Sequence, residues 1–129
     1  MIPADFRVYD ALNCCATAVA ENLAGRPAKA IAAWTAARDA AAAITDGPVC
    51  GALGEIIAAS GPSQSPSAAL QRALDASALA CLIARNGDTD LTALALGEAS
   101  DFTGKVPQRD AFATVLAAIW DMSREEVAA

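Results

Sequence analysis

Cys14 and Cys15 are neighbours on the chain, and a vicinal pair of thiols can bind a soft metal ion or cycle through redox states. An α-helix sets successive side chains about 100° apart, so one of the two faces the core while the other faces elsewhere. A core thiol beside a small interface residue is the plainer expectation. Cys50 and Cys81 stand alone, and the four cysteines together match neither a disulfide framework nor a metal-ligand spacing. Asn86, Asp88 and Asp90 present the alternating oxygens that open a calcium loop, but Leu91 stands where that loop needs glycine. Its closing position holds Gly97 where glutamate is needed, with Glu98 one place late. Acids capping a helix N-terminus account for the same residues.

The run from Ala99 to Lys105 comes close to a phosphate-loop pattern through Gly104 and Lys105. Val106 replaces the hydroxyl residue that would hold magnesium, no strand precedes the run, and Pro107 follows where helix N–H groups should be presented. An interhelix loop with Phe102 tucked into the core is expected there. The sequence contains no histidine, which removes the commonest general base and the commonest metal ligand together. Glu21, Glu55 and Glu98 have no histidine companions of the kind a di-iron bundle requires. No catalytic residue, cofactor or metal site is therefore expected.

The elements that would position these residues are helices. Alanine, leucine, glutamate and arginine favour helix almost throughout the 129 residues, strand formers are sparse, and aromatics make up only 5%. The expected fold class is all-α, a single compact bundle of five or six short helices built from antiparallel helical hairpins. The first helix is predicted over residues 4–24, with Val8, Leu12, Cys15, Val19 and Leu23 in one apolar stripe and Gly25 as its stop. A second, over 27–45, carries Ile31, Trp34, Ala37, Ala41 and Ile44 on one side, and the short turn between the two makes them antiparallel.

Leu23, Gly25, Ala30, Ile31, Trp34 and Ala37 resemble the second half of a tetratricopeptide repeat. The resemblance covers about one hairpin. The preceding helix has Cys14, Thr17, Ala18 and Glu21 at the repeat's marker positions, and nothing similar recurs one period later, so no repeat function is implied.

Asp46, Gly47 and Pro48 break the chain before a third helix over 48–60, with Leu53, Ile56 and Ile57 inward. Gly51 and Gly54 inside it imply either close approach of a neighbouring helix or an irregular helix. Residues 61–67 are the clearest linker and leave open a subdivision of the single domain 1–129. Ser65 or Ser67 caps a fourth helix reaching Asn86, with Leu70, Leu74, Ala78, Cys81 and Leu82 inward and Leu79 and Ile83 widening the apolar face. A fifth, capped by Asp88 or Thr89, runs through Leu91, Leu94 and Ala95 before the chain loosens over 98–106. A sixth is predicted over 107–121, followed by a capping box from Ser123 to Glu126.

The net charge of −6 and the scattered single arginines Arg7, Arg26, Arg38, Arg72, Arg85 and Arg124 argue against nucleic acid. The start lacks the basic and apolar regions of a secretory signal and no apolar run reaches membrane-spanning length, so no membrane association and a cytoplasmic location are expected. The expected function is a non-enzymatic protein–protein interaction module of immunity, adaptor or assembly-chaperone type, binding a basic partner surface. Asp88, Asp90, Glu98 and Asp101 form the candidate contact surface. The alternative is a bundle that binds a small ligand or performs histidine-independent acid/base chemistry, recognisable by a pocket lined by an arginine and a carboxylate from different helices. Whether Arg38, Asp39, Arg72 or Asp75 point inward would bear on it. The wide face of the fourth helix, with Leu79 and Ile83, is expected to be either a buried centre or the seam of a homodimer.

Overall fold

Among the described residues Gly25 and Gly87 are the two with positive φ, 74° and 75°, and each ends a helix. At Gly25 the N–H bonds the Asn22 carbonyl at 3.1 Å and the next N–H, of Arg26, bonds the Glu21 carbonyl at 2.8 Å, the paired closure of a Schellman turn. Pro27 then opens the next helix with its φ already set and no N–H to leave unsatisfied. This is why the chain reverses within three residues.

The computed structural model describes residues 3–65 and 67–128, and these are all-helical. In order the helices are α1 (Pro3–Leu23), α2 (Pro27–Ala42), α3 (Gly47–Ala59), α4 (Ala68–Ala84), α5 (Thr89–Thr103) and α6 (Arg109–Ala128). Helix α1 packs between α2 and α4, and α5 flanks α4 on the other side, giving the neighbour order α2, α1, α4, α5. Helices α3 and α6 pair with each other across this row, α3 against α2 and α1, α6 against α4 and α5. Helices on both sides of the 61–67 linker thus pack together. Leu12, Cys15, Leu53, Ile56, Leu74, Phe112, Val115 and Ile119 are buried at the centre.

Three N-caps are made by side chains, the expected Ser67 and Asp88 and, beyond them, Asp46. Asp46 accepts from the Val49 N–H at 3.1 Å, Ser67 from Leu70 at 3.1 Å, and Asp88 from Leu91 at 2.9 Å. Helix α2 stops at Ala42, three residues before the expected end. A tightened last turn there pulls Ile44 into the core, and Arg7 donates to the exposed Ala43 carbonyl at 3.2 Å.

Several expectations are corrected. The predicted loosening over 98–106 is helical as far as Thr103, because Thr92, Ala99 and Thr103 fall on one side of α5 and are all buried. Helix α6 runs through Ser123 without a new cap, the buried Ser123 hydroxyl donating back to the Trp120 carbonyl at 2.8 Å. The Glu126 side chain of the expected capping box lies outside the described residues. Close approach at Gly51 and Gly54 is not the reason for those glycines, since a Cβ added at either meets nothing within 4 Å.

Candidate functional site

On α4 the predicted stripe Leu70, Leu74, Ala78 and Cys81 is buried, and a second buried row, Ala73, Ser77, Ala80 and Ala84, lies beside it. The widening of the buried face therefore occurs on the small-residue side. Leu79 is nine residues from Leu70 and so about 180° away around the helix. It is 53% exposed, Leu82 is also exposed, and Ile83 is half-buried. Leu79 and Ile83 thus lie away from the core, and burial at the bundle centre does not account for them.

Helix α5 turns its large residues outward more completely. Its buried residues are Thr92, Ala99 and Thr103, while Leu91 is 52% and Leu94 71% exposed. Thr92 can be inward because its hydroxyl donates to the Asp88 carbonyl at 2.6 Å, leaving a methyl and a small volume for packing. Leu91, Leu94, Glu98 and Asp101 follow at spacings of three and four, so they form one outward stripe, apolar in its first half and acidic in its second. Across from it stand Ala76, Leu79 and Ile83 of α4, and the two helices enclose an open groove of about 200 Å³ that Glu98 borders.

The four acids singled out from sequence are all exposed on this side of the fold or at its margin. Asp88 is occupied as the N-cap, and Asp90 lies in the first turn of α5, where the helix dipole favours it. Asp101 lies in the last turn, where the dipole disfavours an acid, and no basic residue shares that turn. The nearby Lys105 ammonium instead lies over the Phe102 ring, 5.9 Å from its centroid.

The remaining chemical candidates resolve into structural roles. Cys15 is fully buried and its thiol is pushed up to about 12, first by burial and then by Cys14, against a hydrogen bond with Ser60 that lowers it. Cys14 is half-buried and raised by burial and by Asp10. Neither thiol is activated toward thiolate chemistry. The run 99–105 is the C-terminal end of α5, which presents carbonyls; the Gly104, Lys105 and Val106 N–H groups are already bonded to Ser100, Phe102 and Thr103. These backbone N–H groups are therefore not left to cradle a phosphate. Among the described residues no group of three or more Cys, Asp or Glu side chains is placed to hold a metal ion.

Arg38, Asp39, Arg72 and Asp75 are all exposed. Arg38 borders an open space of about 460 Å³ between α2 and α3 that also touches Trp34, Cys50, Gly54 and Ile57, with no carboxylate in its lining. The Arg38 guanidinium lies 5.0 Å above the Trp34 ring, and the indole N–H donates to the Ile57 carbonyl at 2.9 Å. Neither the type of Trp34 nor that of Arg38 alone announces this contact. Their spacing of four residues on one helix was the available signal.

Among the described residues, no helix is long and apolar enough to cross a membrane. No family model, curated protein or solved structure matches this chain.

Proposed function

We propose that this chain is a non-enzymatic docking module, of the immunity, adaptor or assembly-chaperone kind, that holds another protein against the α4–α5 face. The partner supplies a basic amphipathic helix. Its apolar side chains fill the groove between Leu79, Ile83, Leu91 and Leu94, and its lysines or arginines meet Glu98 and Asp101.

One observation carries this reading: the outward stripe of Leu91, Leu94, Glu98 and Asp101, set against Leu79 and Ile83. Large leucines on the outside of two adjacent helices, with small residues turned inward, are the reverse of what folding alone favours. The acids extend the same stripe, and the net charge of −6 steers cations toward it. A second copy of the chain is the less favoured occupant, because an isologous seam brings together two faces of the same sign. The four cysteines are free thiols, which supports a cytoplasmic location within the same reading.

Affinity capture with wild-type and Leu94→Asp baits in parallel, at low and moderate salt, tests the proposal. A basic partner enriched by the wild type and lost on Leu94→Asp, with retention weakened by salt, is the expected result. Equal recovery on both baits contradicts it.

A further inference from the structure

The α2–α3 groove lies away from the α4–α5 face and has its own chemistry. Its walls are small, Ala41, Ala42 and Ala58, and its floor includes the backbone of Gly54 in mid-helix. A Cβ at Gly54 would meet nothing within 4 Å, so no neighbour inside the protein requires the glycine there. What its bareness does is deepen the groove. The Trp34 ring on the opposite side is fixed by its bond to the Ile57 carbonyl at 2.9 Å and backed by Gly61, where an added Cβ would lie 3.6 Å from the indole nitrogen. Such a wall is set before a ligand arrives.

The one charged side chain in the lining is Arg38. In an acidic protein of 15 carboxylates and 9 bases, an arginine would be expected to find a carboxylate, yet the Arg38 contact among the described residues is the Trp34 ring at 5.0 Å. The guanidinium is a planar fork of N–H donors, and at this exposed position beside the groove those donors suit a carboxylate. A space of about 460 Å³ is of small-molecule size.

From these features we infer that the α2–α3 groove binds a small organic carboxylate with a flat apolar body, the body lying along Trp34, Ile57 and Gly54 and the carboxylate on Arg38. The lining holds no carboxylate, and its one thiol, Cys50, donates to the Ala41 carbonyl at 3.7 Å, so the site is read as one of binding.

Titration of the whole protein with 2-naphthoate, followed through the Trp34 indole N–H by NMR, tests this, with 2-naphthamide as the uncharged probe. Naphthoate is expected to shift the Trp34 signal saturably, and Arg38→Gln to weaken naphthoate by about tenfold or more while leaving the amide's weaker binding unchanged. Gly54→Leu fills the groove and abolishes both. Gly51→Ala, on the same helix but lining the α3–α6 side, is the control and retains wild-type binding. A saturable shift that survives both Arg38→Gln and Gly54→Leu, or no shift of Trp34 at saturating naphthoate, overturns the proposal. Because α4 and α5 are untouched, failure here leaves the docking reading standing.

Discussion

A thiol with no water around it resists ionisation, and Cys15 turns that resistance into a pH dependence of folding. Its pKa is about 12 in the folded protein against 9.0 for the free group, so between these values the folded state holds a proton that the unfolded state has released. The stabilisation is fully present below pH 9 and falls as the pH rises toward 12, by roughly 4 kcal/mol at most. Urea unfolding of wild type and Cys15→Ala from pH 8 upward checks this, the wild type losing stability more steeply than the variant. Parallel slopes contradict it. The same burial predicts that a disulfide-exchange reagent at neutral pH leaves Cys15 unlabelled until the protein unfolds. Ser67 and Asp88 were legible as caps because a single hydroxyl or carboxylate three residues before a free N–H is a local matter.

Two helices carry residues that cost local stability without an internal reason. Gly51 in α3 lacks a neighbour that needs the space, so Gly51→Ala raises stability by about 1 kcal/mol, read as a higher denaturant midpoint with unchanged slope. Asp101 sits against the negative end of the α5 dipole, and Asp101→Asn stabilises the free protein by about 0.5 kcal/mol while weakening capture of a basic partner. Opposite signs for folding and binding are what distinguish a functional acid from a merely solvated one. The α1–α2 hairpin was readable from Gly25 and Pro27, because turn chemistry at those residues specifies it. The buried side of α5 was not, because Thr92 satisfies its hydroxyl on its own helix and packs inward, which no count of apolar residues reveals. On α4 the 180° between Leu70 and Leu79 was there to be counted.

At the scale of the whole molecule, a row of four helices covered by the α3–α6 pair leaves the outer α4–α5 groove uncovered by any other helix among the described residues. Exposed apolar area of this kind marks an interface when it is contiguous and rimmed by charge. Sedimentation equilibrium at micromolar concentration should give the monomer mass, since like charge opposes the symmetric seam. A wild-type dimer that Leu79→Glu and Ile83→Glu convert to folded monomers would make a second copy the occupant. The candidate acids were legible as a base-free stretch of sequence, but their alignment with Leu91 and Leu94 emerges only once α5 is continuous to Thr103. The central claim is that this one face, and no other, engages a basic protein. A photo-crosslinking residue placed at Leu94, and in a parallel sample at the exposed Ala36 of α2, tests it inside the cell of origin. A discrete adduct with a basic protein from position 94 and none from position 36 is the expected result; the same adducts from both positions, or an acidic partner at 94, would contradict it.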